Sequence, residues 1–397
     1  MWGTKSLPVH WVHQGVVGGL VRAHVKLPPP DGRAWLAVDV DGAEVLKTAD
    51  WALVDGEAWL NVHTPLLPEG RVAIRVRASL PSGLHEAEAV FTVRNEGPLA
   101  AEVRTALKAV SAPAVFLGNC DASMYREAQR RCTAWVDAPD AEVRVDAWVA
   151  EGRITRSEAD QLRRFLRDGF VVLDDPLPSD LVAQANADID EAVRSGYQGY
   201  RYGDSTRLEQ MHQSFAGIRA IWLHPPVHRF LSLVFGVPSR PCQSLVYVFG
   251  SQQDAHQDTV HLTPFPAGRM CGVWAALEAV REGSGELMVY PGSHRWPRVY
   301  MDDVGCAKVR GGQWAEFGEK VVGRWESMIR ESGVKPVPYL AKPGQILVWH
   351  ENLMHAGSVR RDPSLSRRSV VTHHFADGAL AYYDSSGMAG ILAAPTA

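Results

Sequence analysis

The sequence predicts a mainly β chain of two domains, an antiparallel β-sandwich followed by a helix-flanked barrel or double-sheet jelly roll. Three observations predict this fold class. Strands that alternate apolar and polar residues fill the N-terminal part, helical spacing dominates the middle, and short apolar strands divided by turns return towards the C-terminus. The chain has 397 residues and is 46% hydrophobic, which is enough for two domains that each bury a core.

Residues 1–97 have the pattern of an antiparallel sandwich. Turn pairs recur along this region, at Asp31-Gly32, Asp41-Gly42, Asp55-Gly56, Glu69-Gly70 and Ser82-Gly83. Between two of these turns, "VAIRVRASL" places Val72, Ile74, Val76, Ala78 and Leu80 on one side of a strand and its arginines on the other. Strands with one apolar face and one polar face are typical of an antiparallel sandwich, so we predict an immunoglobulin-like accessory domain over 1–97.

Helical spacing begins after this region and divides the rest of the chain. We predict a helical connector over 98–150 and a second domain over 151–397. At its start, Thr155 and Glu158 form a capping box, and Gly169 is a plausible helix end. A second helix is predicted to begin after Ser179 and to end at Gly196. Short strands follow, which favours a jelly roll flanked by helices.

Composition excludes several classes of protein. The net charge of -4 gives no sign of a basic face for nucleic acid. No apolar run approaches the roughly 20 residues of a membrane span. Five cysteines, with no C-x-x-C pair, argue against a disulfide framework and a cysteine zinc site. We therefore expect a cytoplasmic protein, and the sequence leaves its oligomeric state open.

A possible metal site follows the apolar run "SLVYV", in the stretch "FGSQQDAHQDTVHL". His256 and Asp258 are separated by one residue, so on a strand their side chains would point to the same side. A facial triad for Fe(II) needs one further histidine and leaves three coordination positions open. Both His350 and His355 in "KPGQILVWHENLMHAGS" are candidates for it.

Two arginines stand at the head of a later strand, in "LSRRSVVTHHF". Arg367 or Arg368 near an iron site is suited to hold a dicarboxylate through two hydrogen bonds.

Taken in order, H-x-D, "SGELMVYPGSH", "KPGQ…H…HAGS" and an arginine before "HF" resemble the phytanoyl-CoA dioxygenase family. The resemblance covers roughly residues 150–380 and includes the early "FLRDGFVVLDDPL". It implies a double-stranded β-helix of the cupin-like type. It also implies a non-haem iron dioxygenase that uses Fe(II), 2-oxoglutarate and O2, and that hydroxylates a small metabolite or glycan precursor while releasing succinate and CO2.

The resemblance also implies roles for individual residues. His256, Asp258 and His355 fall on the metal-ligand positions. Arg368 falls on the partner of the distal carboxylate of 2-oxoglutarate, because His374 follows it six positions later, as in the family's spacing from arginine to "HF". Trp274 resembles the aromatic residue that lines the cosubstrate pocket. Gln257 matches the middle of the family's H-Q-D and is expected to touch 2-oxoglutarate.

The sequence departs from the family pattern in three places. Gln345 stands where an aspartate is usual, and Ala356 follows His355 where the family has "HGS", so that Ser358 is one place late. A lysine that some members use on the cosubstrate has no counterpart between residues 109 and 307, where Arg201 or Arg207 would have to substitute.

Two other functions remain open on the sequence alone. A zinc-dependent hydrolase would use His256, Asp258 and either His261 or His350, although the chain has no H-E-x-x-H motif. A non-catalytic jelly roll would keep the barrel only as a binding surface. The substrate, whether another small molecule or a saccharide, is not specified by any motif.

Overall fold

The computed structural model describes residues 4–204, 206–390 and 392. Its strands are β1 Lys5–Ser6, β2 Val9–Trp11, β3 Val16–Val17, β4 Leu20–Val25, β5 Trp35–Val40, β6 Ala43–Thr48, β7 Ala58–His63, β8 Gly70–Leu80, β9 Gly83–Val93, β10 Val115–Leu117, β11 Phe170–Val172, β12 Leu208–Glu209, β13 Ser239–Tyr247, β14 Thr263–Phe265, β15 Met270–Ala276, β16 Leu287–Val289, β17 Val337–Tyr339, β18 Ile346–His350, β19 His355–Gly357, β20 Ser369–Ala376, β21 Leu380–Tyr383 and β22 Met388–Ala389.

The helices are α1 Pro98–Ala109, α2 Ala122–Gln129, α3 Ala141–Ala150, α4 Arg156–Asp168, α5 Ser179–Ser195, α6 Ala216–Trp222, α7 Pro225–Phe235, α8 Ala315–Phe317 and α9 Gly323–Ser332. The prediction of a mainly β chain with flanking helices is confirmed. No helix in the described part of the chain is both long and apolar enough to cross a membrane.

The chain forms two compact units. The first contains residues 1–132, 263–266 and 377–397, and the second contains residues 133–262 and 267–376. These units differ from the predicted domain boundaries, because the predicted connector over 98–150 is divided between them. The residues after Ala376 belong to the first unit, although the sequence placed them with the jelly roll.

The first unit contains three sheets, and two of them share an apolar core, whereas the third has the order β14-β21-β22. One sheet has the strand order β1-β9-β8-β5-β6, with β3 also pairing with β9, and the other has the order β10-β7-β4-β2. The core takes alternate residues of both sheets, among them Val21, Leu60 and Val76. The alternation predicted for β8 is confirmed, since Val72, Ile74, Val76 and Ala78 are all buried. The immunoglobulin-like character of this unit stays a prediction.

The second unit contains a six-stranded sheet and a three-stranded sheet. The larger has the order β11-β18-β15-β20-β13-β12, and the smaller has the order β17-β16-β19. One apolar cluster draws residues from both sheets, including Tyr247, Trp274 and Trp349 from the larger and Leu287 and Val289 from the smaller. Two sheets that share one interior are the arrangement expected of the predicted jelly roll.

Local signals in the sequence mark the helices of this unit. The Thr155 hydroxyl and the Glu158 carboxylate form the predicted capping box at the start of α4. Helix α4 ends at Gly169 and α5 ends at Gly196, and both glycines are left-handed with φ of 80° and 64°. The predicted ends of both helices are therefore confirmed.

Candidate metal centre

Three side chains in the second unit form a compact group of metal-ligand atoms. Nε2 of His256 lies 3.6 Å and Nε2 of His355 lies 3.8 Å from Oδ1 of Asp258. One ligand atom from each residue lies within 4.8 Å of the others, and all three residues are buried. The described residues contain no other such group. The three side chains that we expected to converge therefore lie together in the structure.

Backbone pairing brings the two histidines together. His256 and His355 form an antiparallel bridge, in which each backbone N–H donates to the other residue's carbonyl at 2.9 and 3.1 Å. His355 begins β19, and two residues beyond His256 the chain turns into a short 3-10 helix that starts at Asp258. Asp258 is therefore placed by a turn, and not by the continuous strand that the i, i+2 argument assumed.

Hydrogen bonds fix how the two rings point. Nδ1 of His256 lies 2.7 Å from the carbonyl of Asp254, and Nδ1 of His355 lies 3.0 Å from the carbonyl of Leu353. Because a carbonyl can only accept, each Nδ1 must carry the proton and donate it. Each Nε2 then keeps its lone pair, which is the arrangement that a metal-binding imidazole needs.

The charges of the group suit a cation. Burial raises the pKa of Asp258, but the neighbouring imidazoles of His355, His256 and His373 outweigh it and hold that pKa well below its usual range. Burial, together with His256, lowers the pKa of His355 to about 4. At neutral pH the group is therefore a carboxylate with a neutral His355, which is the protonation state that a divalent metal requires.

The second oxygen of Asp258 is held by residues that the sequence analysis missed. The indole N–H of Trp349 donates to Oδ2 at 2.7 Å, and Nε2 of His373 lies 3.6 Å from the same atom. These residues come from β18 and β20, which both pair with β15. Period-2 alternation predicts which face of its own strand each of these two side chains occupies. It does not predict that they approach Asp258, because that depends on pairing between strands that are distant in sequence.

The prediction that Arg368 faces the site is wrong. Its guanidinium donates to Asp190 at 2.7 Å and to Asn186 at 3.3 Å, both on α5. Residues 367, 369, 371 and 373 share one face of the strand, and His373 on that face contacts Asp258. Arg368 lies on the opposite face, which directs it away from the metal-ligand group.

Arg367 is the arginine that points into the interior of the two sheets. It is 2% exposed, and its guanidinium carbon lies 5.6 Å from the centre of the Trp274 ring and 5.7 Å from that of Tyr247. One of its amino groups donates to the carbonyl of Gly285 at 2.9 Å. Burial lowers the pKa of Arg367 to about 10, so the group stays cationic at neutral pH.

Several donors near Arg367 lack partners. Among the described residues, nothing accepts a hydrogen bond from Nε of Arg367 or Nε1 of Trp274, and the Tyr339 and Ser358 hydroxyls are likewise buried and unpaired. The Trp274 and Tyr339 rings meet edge to face at 5.6 Å. Trp274 thus lies in the interior, and its role beside the cosubstrate stays a prediction. A buried cation with unpaired donors around it is suited to bind a carboxylate.

The predicted contact of Gln257 with the cosubstrate is not what the structure has. Its amide nitrogen lies 3.2 Å from the carbonyl of Pro297 and 3.4 Å from that of Asn352. Its amide oxygen accepts from the indole of Trp325 at 3.0 Å. Gln257 lies between His256 and Asp258 in the sequence. Its side chain nevertheless points away from both and forms hydrogen bonds with three other segments of the chain.

The alternative histidine ligands lie outside the group. Nε2 of His350 faces Asp137 at 3.4 Å, and its Nδ1 accepts from the backbone of Asn352. His261 packs among Trp314, Phe317 and Trp325, with its ring 6.5 Å from that of His256. Burial lowers the pKa of each of these two histidines to about 3, so they are neutral packed residues.

The suggested arginine substitutes for the missing lysine are occupied or exposed. Arg207 donates to Glu209 at 2.8 Å, and Arg201 lies at the surface. Gln345 closes its own turn, since its amide oxygen accepts from the backbone N–H of Lys342 at 2.8 Å.

A family model for phytanoyl-CoA dioxygenase matches residues 165–369, which is more than half of the chain. The chain belongs to the phytanoyl-CoA dioxygenase family. The match contains the metal-ligand group, Trp349 and Arg367.

Individual similar proteins match between about a third and three fifths of the chain. The peroxisomal phytanoyl-CoA dioxygenase of Bos taurus is 28% identical over 138 residues, or 34% of this chain, and the chain covers 37% of that relative's length. Among solved structures, the non-haem α-ketoglutarate-dependent carbocyclase SnoK from nogalamycin biosynthesis is 18% identical over 59% of this chain and 88% of its own, with a TM-score of 0.47. EctD from S. alaskensis in its apo form is 19% identical over 59% of this chain and 84% of its own, with a TM-score of 0.45.

Proposed function

We propose that this protein is an Fe(II)- and 2-oxoglutarate-dependent dioxygenase that hydroxylates a small molecule. The observation that carries the proposal is the convergence of His256, Asp258 and His355. A buried Arg367 packs against Tyr247 and Trp274, which belong to the same apolar cluster as Trp349. Membership of the phytanoyl-CoA dioxygenase family supports the same reaction.

The three side chains fit iron better than zinc. Two imidazoles and one carboxylate on one side of an ion form the facial triad of non-haem Fe(II) oxygenases, which leaves further positions for a bidentate cosubstrate and dioxygen. A zinc hydrolase would need a general base beside the metal-bound water. The nearby His261 and His350 are enclosed by aromatic rings or face Asp137, which argues against that alternative.

The interior suits 2-oxoglutarate as the cosubstrate. We assign Arg367, in place of Arg368, as the partner of its distal carboxylate, because Arg367 is buried and cationic and one of its donors is unpaired. The unpaired groups of Trp274, Tyr339 and Ser358 would supply further hydrogen bonds. A buried carboxylate that accepted from them would remove the cost of leaving these donors without partners.

Bound Fe(II) supplies the redox chemistry, in which O2 oxidises 2-oxoglutarate to succinate and CO2 and one oxygen atom enters the substrate. The chain's own residues would hold the metal and orient the cosubstrate. The Nδ1 hydrogen bonds of His256 and His355 keep both Nε2 atoms aimed at one point, and Arg367 fixes one end of the cosubstrate. The apolar cluster around Trp274 and Leu347 keeps bulk water from the reacting groups.

The proposal is tested with anaerobic metal binding and turnover. The protein with Fe(II) and 2-oxoglutarate should develop the visible charge-transfer absorbance of a chelated α-keto acid, and in air it should release succinate from 2-oxoglutarate. Asp258→Ala should reduce succinate formation by at least ~100-fold, because it removes one of three ligands. Asp190→Ala, a surface carboxylate on α5, is the matched control and should leave turnover unchanged.

Other outcomes discriminate the alternatives. Stoichiometric zinc without 2-oxoglutarate absorbance would support a hydrolase. Absence of both would support a non-catalytic binding module. Succinate release from Asp258→Ala at the parental rate would remove the ligand assignment.

The remaining parts of the proposal concern the substrate, the partners, the domain organisation and the cellular location. We propose a small-molecule or saccharide substrate and no nucleic-acid partner, since the chain carries a net charge of -4. Screening metabolite pools for stimulated succinate release would identify the substrate. Residues 1–97 are proposed to be an immunoglobulin-like accessory domain, followed by a helical connector over 98–150 and the oxygenase domain over 151–397. A cytoplasmic location is proposed from the odd number of cysteines.

A further inference from the structure

We infer that Trp349 is a positioning residue that restrains Asp258 to bind the metal through one oxygen. The inference rests on the proposed function, because it concerns the same metal centre. The two oxygens of Asp258 have different neighbours. Oδ1 faces Nε2 of both histidines at 3.6 and 3.8 Å, whereas Oδ2 accepts the indole N–H of Trp349 at 2.7 Å.

This division sets the orientation of the carboxylate. A free carboxylate can rotate and offer both oxygens to a cation, which would use a coordination position that the cosubstrate or dioxygen needs. The indole donor occupies Oδ2 and leaves Oδ1 for the metal. Trp349 is also neutral, so it satisfies a buried oxygen without adding a positive charge that would repel the ion.

Gly272 makes this arrangement possible. It lies opposite Trp349 on one neighbouring strand and opposite His373 on the other. A Cβ at this position would lie 2.1 Å from two carbon atoms of the Trp349 ring. The indole therefore lies directly against the Gly272 backbone, and any larger residue would push it out of its present place.

His373 is braced on the same side of Asp258. Its Nε2 is 3.6 Å from Oδ2, which is too far for a strong hydrogen bond, and its Nδ1 accepts from the Gln243 amide at 2.9 Å. Trp349 is thus the group in hydrogen-bond contact with Oδ2, and His373 limits the space into which the carboxylate could turn.

The test replaces Trp349 by phenylalanine, which keeps an aromatic ring and removes the donor. Trp349→Phe should bind Fe(II) under anaerobic conditions, and Mn(II) by calorimetry, 10- to 100-fold more weakly than the parent, as is usual when a partner of a ligating carboxylate is lost. With saturating Fe(II) and 2-oxoglutarate, the charge-transfer band should shift or broaden. These readouts do not depend on turnover.

A matched control is available in the same unit. Trp135 is buried, and its indole donates to the carbonyl of Leu233 at 3.1 Å, away from Asp258. Trp135→Phe loses a comparable hydrogen bond and should keep the parental metal affinity. Equal metal affinity of Trp349→Phe and the parent, within twofold, would overturn the inference while leaving the proposed function in place. A parent that binds neither Fe(II) nor Mn(II) would instead overturn the proposed function.

A second measurement needs no substitution at Trp349. In the parent labelled with 15N-tryptophan, addition of Zn(II) as a diamagnetic probe should shift one indole N–H signal and slow its exchange with water. A set of indole signals that Zn(II) leaves unchanged would overturn the inference. Gly272→Ala, which displaces the indole but keeps its donor, should weaken Mn(II) binding in the same direction as Trp349→Phe.

Discussion

Arg367 and Arg368 are adjacent in sequence and have opposite surroundings. Arg367 is 2% exposed and stacked near two aromatic rings, whereas the Arg368 side chain is 21% exposed and paired with a surface aspartate. Spacing to a downstream motif selects Arg368, because it counts residues along the chain. The face of the strand selects Arg367, because side chains alternate with a period of two.

We expect the two arginines to respond differently to the same substitution. Arg367→Gln should raise the KM or Kd for 2-oxoglutarate by roughly 30- to 5,000-fold, since truncating one partner of a buried charge pair costs about 2–5 kcal/mol. Arg368→Gln should change it by less than about fivefold, since it breaks only an exposed ion pair with Asp190, and such pairs contribute roughly 0–1 kcal/mol. Titration of the charge-transfer band with 2-oxoglutarate measures both, and the reverse order would restore Arg368 as the cosubstrate residue.

The metal-ligand residues illustrate how far sequence reasoning reaches at this scale. His256 and Asp258 could be singled out from their residue types and spacing, whereas the choice of His355 over His350 came from the family resemblance. Gln257 could not be assigned correctly from its motif, because neighbouring residues point in different directions. Trp349 and His373 were missed because their approach to Asp258 arises from strand pairing between distant segments.

At the scale of elements, the helix ends and the strand faces were predictable, since their signals are local. The capping box at Thr155 and the glycines at 169 and 196 are such signals. The surroundings of the two glycines were not predictable. A Cβ on Gly169 would lie 2.4 Å from Nδ1 of His294, whereas a Cβ on Gly196 would have no neighbour within 4 Å.

These two glycines form a matched pair for a stability measurement. Gly196→Ala should lower the free energy of unfolding by about 1–2 kcal/mol, which is the cost of a side chain in the left-handed region. Gly169→Ala should lower it by roughly a further 1–3 kcal/mol, because His294 and α4 must also move. Urea unfolding of the metal-free protein measures both values. Equal losses of unfolding free energy in the two variants would mean that His294 moves aside at no energetic cost.

At the scale of the whole molecule, buried neutral histidines link stability to pH. His63 in the first unit donates from one ring nitrogen to the carbonyl of Pro113, and its other nitrogen contacts the Tyr125 hydroxyl at 2.8 Å. Burial lowers the pKa of His63 to about 4. Since the unfolded state takes up a proton near pH 6.5 and the folded state does not, the unfolded state is favoured as the pH falls.

We therefore expect stability to be full above pH 6.5 and to decline between about pH 6.5 and pH 4. His63 alone should account for about 3 kcal/mol of this decline, at 1.36 kcal/mol for each pKa unit. Urea unfolding at a series of pH values measures the slope. His63→Gln should reduce that slope by about one proton, and an unchanged slope would show that His63 titrates normally in the folded protein.

The first unit is assembled from three separated stretches of chain. Its N-terminal stretch ends at residue 132, and strands β14, β21 and β22 are supplied from residues 263–266 and 377–397. A ribosome makes the chain from its N-terminus, and domains commonly fold as they emerge. Here the unit that is begun first must wait for its last strands until residues 133–376 have been synthesised, so the second unit, whose two stretches are separated by only four residues, can be completed first.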